Sequence, residues 1–365
     1  TPVGLAADAA GNLYVAERIP AIRRFARNGE TARVAGTGMA GYDGDGRGAT
    51  TSLLAAPADV AFDATGGLYI ADGPRVRRVG AAGAIATVAG DAYLTAIGDG
   101  GPALDAILNT PRGVAVDVEG NLHIADSGTH RIRRAGRDGR IATVAGTGAP
   151  GFSADGRAAA QAQLNAPAGV WAGADGSLTV ADTGNDRIRR ITAAGTIVTI
   201  AGSGGSGLGG DGLAAQLMPL HGPSAALPDG WGNLYIADTL SSRVLAAGPD
   251  GTVATAAGNA SGGDSGDGGP APQAQLRDPT GLAFDAAGNL FIADALNNRI
   301  RKVARDGVIS TVAGNGQEGY SGDGKAATAA RLHKPRGIAV DGDGNLYIAD
   351  TGNHAIRKVT ADGTI

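Results

Sequence analysis

Three features of this 365-residue chain predict an all-β fold, a seven-bladed β-propeller of four-stranded antiparallel blades. First, one phrase recurs seven times: GNLYVAE ending at Glu17, GGLYIAD at Asp72, GNLHIAD at Asp126, GSLTVAD at Asp182, GNLYIAD at Asp238, GNLFIAD at Asp294 and GNLYIAD at Asp350, at intervals of 54 to 56 residues. Second, each interval holds short runs rich in Val and Ile, bounded by Gly, Asp or Asn, the pattern of strands joined by hairpins. Third, the first two runs of each copy are apolar on both faces, so neighbouring units must cover them. Radial stacking of small sheets meets that need. The copies fill the chain, so residues 1–365 read as a single domain.

The elements follow in order within one copy. GVAVD (113–117) is strand a, VEGN a turn and LHIAD (122–126) strand b; SGTH leads to strand c, RIRRA (131–135), and RDGR to strand d, IATVAG (141–146). The recurring D-x-x-G-N turn suits a hairpin that needs one residue at positive φ. A longer d–a link follows, with an Ala-rich stretch expected to form one or two helical turns before Pro167. Six d strands are complete. The seventh would begin at Thr364-Ile365, so the last blade is expected to be incomplete.

Composition narrows the function classes. The 63 glycines show no three-residue period, which removes collagen, and 43% hydrophobic residues are enough for a large core. With no cysteine there are no disulfides, thiolate metal sites or cysteine nucleophiles. A net charge of −4 argues against a nucleic-acid partner. No apolar run reaches the length of a membrane span, and no leader is visible; a secreted or periplasmic location is favoured.

Several motifs yield to the repeat. GxGxxG occurs at Gly36–Gly41, Gly146–Gly151, Gly202–Gly207 and Gly314–Gly319, and four copies in an all-β array are turns, not dinucleotide fingerprints. Asp341-Gly342-Asp343-Gly344-Asn345 has the look of a calcium loop without the further ligands one needs, and it sits where every copy has a hairpin turn. His123 and Trp171 lie within strands and are expected to pack in the core, while Trp231, in an a–b turn, is expected to cover a blade edge.

A residue repeated in every copy serves a need shared by every copy. Acidic residues close strand b (Asp72, Asp126, Asp182, Asp238, Asp294 and Asp350, with Glu17 in copy one) and recur in the d–a links at Asp45, Asp99, Asp155, Asp211, Asp267 and Asp323. The arginines that open strand c, Arg131, Arg187, Arg243 and Arg299, are expected to pair with them and fix the loops.

Singular residues are candidates for function. Each d–a link ends in L-x-x-P. The residue after the Leu is Ala55, Asn109, Asn165, His221, Arg277 or His333, and the one after the Pro is Ala58, Arg112, Ala168, Ser224, Thr280 or Arg336. Strand a lies nearest the axis, so these side chains are expected at the mouth of a central channel, on the face of the d–a and b–c loops. Varied polar groups at one concave opening suit a binding site; hydrogen bonding to loop backbone is the competing reading. The expected ligand contacts are Asn109, Arg112, Asn165, His221, Arg277, His333, Arg336 and Tyr93. No metal site or cofactor is expected, because Arg277 occupies the copy between those of His221 and His333 and its cation repels a metal; a channel Ca or Zn ion is the minority reading.

The segment GDGKAATAARLHKPRGIAVDGDGNLYIADTGNHAIRKVTADG (322–363), with its Asn353-His354 pair, resembles the NHL repeat, and the likeness extends over essentially the whole chain. NHL propellers most often have six blades; seven a-b-c triplets here favour seven over six. The resemblance implies one of two functions. The first is a non-catalytic platform that binds a protein or small molecule on the d–a and b–c loop face. The second, from enzymatic relatives, is a small-molecule lyase, hydrolase or cyclase with His221, His333, Arg277 and Glu17 as catalytic groups, histidine being suited to acid–base work near neutral pH. Whether the chain is an enzyme stays open at this point. A monomer without a nucleic-acid partner is expected.

Overall fold

The computed structural model describes residues 2–90, 98–205, 207–229, 231–353 and 355–365. It divides into two compact units, Val3–Thr199 and Thr1–Pro2 with Ile200–Ile365. Seven antiparallel sheets, each a meander in chain order, make up the seven-bladed β-propeller fold.

The first sheet is β1 (Pro2–Ala7), β2 (Leu13–Glu17), β3 (Ala21–Phe25) and β4 (Thr31–Ala35); the second is β5 (Pro57–Phe62), β6 (Leu68–Asp72), β7 (Arg75–Val79) and β8 (Ile85–Ala89). The third is β9 (Pro111–Val116), β10 (Leu122–Asp126), β11 (Arg131–Ala135) and β12 (Ile141–Ala145), and the fourth β13 (Gly169–Ala172), β14 (Leu178–Asp182), β15 (Arg187–Ile191) and β16 (Ile197–Ala201). The fifth is β17 (Ala225–Pro228), β18 (Leu234–Asp238), β19 (Arg243–Ala247) and β20 (Val253–Ala257); the sixth is β21 (Pro279–Phe284), β22 (Leu290–Asp294), β23 (Arg299–Val303) and β24 (Ile309–Ala313). The seventh has three strands, β25 (Pro335–Val340), β26 (Leu346–Asp350) and β27 (Ala355–Val359). The final residue, Ile365, accepts from the Gly324 amide and donates to the Lys325 carbonyl, the same pairing that Ile309 makes with Gly268 and Gly269 in the sheet before.

The a–b hairpins are set by their aspartates. Asp117 Oδ1 accepts the amides of Glu119 and Asn121, while Oδ2 takes the Asn121 side chain at 2.9 Å. Asp341 does the same and also accepts the Tyr347 hydroxyl at 3.1 Å, so this calcium-like segment is a turn whose carboxylate is already satisfied. The Ala-rich stretches form one 3-10 turn each, as at Ala159–Gln161, and strand b runs into a second such turn, as at Ser127–Thr129, which the sequence did not suggest.

Within each unit the core lies between consecutive sheets. Ile22, Ala35 and Leu54 meet Val60, Ile70 and Ile85 between the first two, and Val244, Ala257 and Leu276 meet Leu290, Ile292 and Ile309 between the fifth and sixth. Burying the whole of such a side chain stabilises by roughly 1.5–3 kcal/mol. The innermost strands approach so closely that glycine is required: a Cβ on Gly281 would sit 2.2 Å from the Arg336 carbonyl oxygen, and one on Gly113 2.7 Å from that of Ala168. The first glycine of GxGxxG has the same cause, since a Cβ on Gly314 would lie 2.2 Å from the Asn298 carbonyl oxygen.

The structural ion pairs exist, but most are on other arginines than those expected; of the expected ones, Arg299 pairs with Asp264 at 2.9 Å and Arg243 with a strand-b aspartate. The buried ones are Arg77, Arg133, Arg189, Arg301 and Arg357, two positions further along strand c. They reach Asp45, Asp99, Asp155, Asp267 and Asp323 at 2.5–3.0 Å. The first and third residues of strand c share one face and differ in depth: the third is buried, and the first stays at the loop, where Arg187 stacks on Phe152, 3.7 Å from its ring centroid. Of the four expected, Arg243 alone is buried, because Leu245 stands where sheets two, three, four, six and seven place the inward arginine; Arg243 turns in and binds Asp238 at 2.9 Å. Tyr42, Phe152 and Tyr320, though exposed, each serve as a platform for such an arginine. His123 is buried against Asp117 as expected, and burial pushes its imidazole below the ordinary range. Trp171, by contrast, points outward and is 42% exposed. Trp231 covers the next sheet, stacking with Arg305 and lying over Gly288.

Candidate functional site

The strand-b aspartates do more than pair with arginine. Asp126, Asp182, Asp238, Asp294 and Asp350 are fully buried, and each accepts the amide of the residue after the Leu in L-x-x-P: Asn109, Asn165, His221, Arg277 and His333, at 2.6–2.7 Å. The carbonyls of these residues in turn accept amides of the b–c loops, from Gly128, Gly184, Leu240, Leu296 and Gly352. The next residue adopts a left-handed conformation (Thr110, Ala166, Gly222, Asp278, Lys334), which reverses the chain into the following proline. The repeat therefore clamps the backbone of the variable position on both sides and leaves its side chain to differ from sheet to sheet.

Burial pushes Asp72, Asp126 and Asp294 up to about 6, opposed by these backbone donors and by the arginines. All three are therefore carboxylates at neutral pH. Glu17, which takes this place in the first sheet, is buried and binds Arg23 at 3.0 Å.

The b–c loops and d–a links share one face. Asn185 donates to the Gly151 carbonyl, Asn353 to that of Gly319, and Arg243 to that of Gly209. Within the Ile200–Ile365 unit the residues after the prolines form a chain: the Ser224 hydroxyl reaches the Thr280 carbonyl at 3.3 Å, and the Thr280 hydroxyl that of Arg336 at 3.1 Å. His221, Arg277 and His333 each lie three residues before a member of that chain, so they open consecutive inner strands. His333 lies 3.6 Å from Glu318; the side chains of His221, Arg277 and Arg336 have no polar partner among the described residues. In the Val3–Thr199 unit, Asn165 hydrogen-bonds the Gly184 carbonyl at 2.9 Å and Asn109 accepts from Thr110, whereas Arg112 projects freely into solvent. Tyr93 lies outside the described residues.

One group went unnoticed in the sequence. Asp59 stands on inner strand β5 in a column that otherwise reads Gly4, Gly113, Gly169, Ala225, Gly281 and Gly337. Its Oδ2 accepts the Val114 amide from the next sheet at 3.0 Å, no cation among the described residues neutralises it, and burial pushes its carboxyl up to about 7. The signal was that column, legible once the copies are aligned on strand a.

Clefts open elsewhere. A groove of about 490 Å³ between sheets two and three is lined by Asp63, Tyr69, Arg78, Val118 and Arg137, at the hairpin ends of the strands away from the candidate residues. Grooves of the same kind recur between sheets three and four and between five and six, so they are products of the repeat. Among the described residues no group of three His, Asp or Glu side chains is arranged to hold a metal ion.

With this geometry in place, comparison with known proteins is informative. The family described as Teneurin NHL domain matches residues 251–321 and 315–365, and that described as NHL repeat matches 108–134. The chain belongs to the NHL-repeat family. Human NHL repeat-containing protein 2 is 28% identical over 69% of the chain, and mouse Teneurin-4 is 31% identical over 73%. The chain spans 39% of the first relative's length and 8% of the second's. The solved structure of virginiamycin B lyase from Staphylococcus aureus has a TM-score of 0.59 at 14% identity, covering 95% of this NHL chain and 91% of the lyase; a likeness at that identity concerns the fold. No helix among the described residues is long and apolar enough to cross a membrane.

Proposed function

We propose that this NHL propeller is a non-catalytic binding module whose d–a and b–c loops recognise a protein or small-molecule partner. The observation that carries the reading is the double clamp: in sheets three to seven, buried aspartates and loop amides hold the backbone of one position, while its side chain varies from Asn to His to Arg. A scaffold that fixes backbone and varies side chains resembles other recognition surfaces built from repeats. Asn109, Arg112, Asn165, His221, Arg277, His333 and Arg336 are the proposed contacts. No metal ion or cofactor enters this reading.

Support also comes from what catalysis would require. Acid–base chemistry needs a donor and an acceptor within hydrogen-bond reach of one reacting group. Glu17 is already engaged by Arg23, and the His221 ring has no polar partner among the described residues to orient it. The test is a thermal-shift screen of the chain against small molecules and purified proteins, with product analysis on lactones, esters and cyclic depsipeptides in parallel. Stabilisation without product formation is expected. Turnover that is lost in His221→Ala or His333→Ala would overturn the reading in favour of an enzyme.

A further inference from the structure

Comparison of the sheets with one another separates the variable positions into two kinds. In sheets three, four and seven, the second residue of the b–c loop is glycine, and a Cβ on Gly128, Gly184 or Gly352 would lie 2.4–2.6 Å from the side chain of Asn109, Asn165 or His333. Those side chains lie flat over the loop. In sheets five and six the same loop position is Leu240 or Leu296, so His221 and Arg277 cannot lie there. The exchange is paired in both sheets, glycine for leucine below and a flat side chain for a projecting one above.

The result is an apolar and basic patch on two consecutive sheets. Leu240 is 59% exposed and Leu296 39%, where sheets three, four and seven have glycine. Leu217, in the link that leads to His221, is 65% exposed. Thr239, beside Leu240, donates to the Pro279 carbonyl at 2.8 Å, which brings the loop of sheet five against the segment that carries Arg277. Exposed leucines on a loop surface are costly to solvate and mark contact sites when they gather beside polar groups. Arg277 offers a planar fork suited to a carboxylate, and its main chain is already fixed by Asp294 and the Leu296 amide, so binding has only its side chain to order.

We propose that His221, Leu240, Arg277 and Leu296 dock a segment of a protein partner that carries a carboxylate side chain next to an aliphatic one. Charge complementarity selects an acidic segment, since Arg277 and Arg336 are cations with no partner among the described residues. The patch contains no aromatic platform of the kind that stacks nucleobases. The inference rests on the binding reading above and narrows it to a patch and a partner chemistry.

The test uses fluorescein-labelled hexapeptides that alternate Glu with Leu, Lys with Leu, and Glu with Ser, measured by fluorescence anisotropy against the 365-residue chain. The Glu–Leu peptide is expected to bind about ten-fold more tightly than either control, with affinity falling as salt rises. Replacing His221→Asn with Leu240→Gly, and Arg277→Asn with Leu296→Gly, copies the pairs found in sheets three and four, so the fold is retained; a loss of about ten-fold is expected. Equal binding of the three peptides, binding of none, or tight Glu–Leu binding that survives the four replacements overturns the inference. If binding survives them but is lost in Arg112→Ala, the platform reading stands and only this patch is wrong. Turnover in the ester and lactone screen removes the platform reading whatever the peptides do.

Discussion

Asp59 provides the sharpest test of how inner strands are held. Its carboxyl, pushed by burial from the ordinary 3.8 to about 7, keeps its proton where the unfolded chain has lost it. That displacement amounts to about 4 kcal/mol against the ionised form. Part of the residue still reaches solvent, so a penalty of about 2 kcal/mol is expected after screening. The sign follows from linkage. Below about pH 4 the group is protonated folded and unfolded, and it costs nothing. As pH rises from there towards 7 the unfolded chain releases the proton first, and stability falls until the folded group ionises as well. Asp59→Asn keeps an oxygen for the Val114 amide and cannot ionise. Urea unfolding followed by the fluorescence of Trp171, which reports on the same unit, is expected to give equal stability for the two chains at pH 4. By pH 8 the variant should lead by about 2 kcal/mol. A difference that does not change between those pH values would refute the assignment, because every other carboxyl is common to both chains.

Other consequences follow from the repeat. Arg301→Leu removes a fully buried cation from between Asp267 and Asp294, and a loss of about 3–5 kcal/mol in denaturant unfolding is expected; because Leu245 fills the same place in sheet five, the loss reflects charge and not shape. Gly281→Ala drives a Cβ into the Arg336 carbonyl oxygen and should lower the melting temperature by several degrees, about 2 kcal/mol or more, whereas Gly342→Ala, with nothing within 4 Å, should change it little. His221→Ala and Arg277→Ala, whose side chains have no polar partner among the described residues, should each leave the melting temperature within about 0.5 kcal/mol of the parent. A larger drop would mean that these residues hold the fold.

Seven copies of one phrase were enough to fix the number of sheets, their four-stranded meander and the incomplete last sheet, because strand period and turn chemistry are local properties. The same comparison picked out the L-x-x-P position as variable, and the structure puts those residues at the starts of inner strands. It also led to the wrong arginines in most sheets: the first and third residues of strand c share one face, and which of them is buried depends on where the preceding d–a link crosses that face. Trp171 was misread for a related reason, since an apolar residue in a strand carries no mark of which face is covered.

The sequence by itself settled what is periodic: hairpins, glycines at positive φ, and the recurring aspartates. Only tertiary packing decided what those aspartates do, which is to grip the amide of a residue 17 positions earlier, and which variable side chains are free. Whether His221 projects while His333 lies flat depends on the residue facing it across a loop, Leu240 or Gly352. Contacts between residues distant in the chain are governed by the space each leaves the other, and that space exists only once the sheets are assembled.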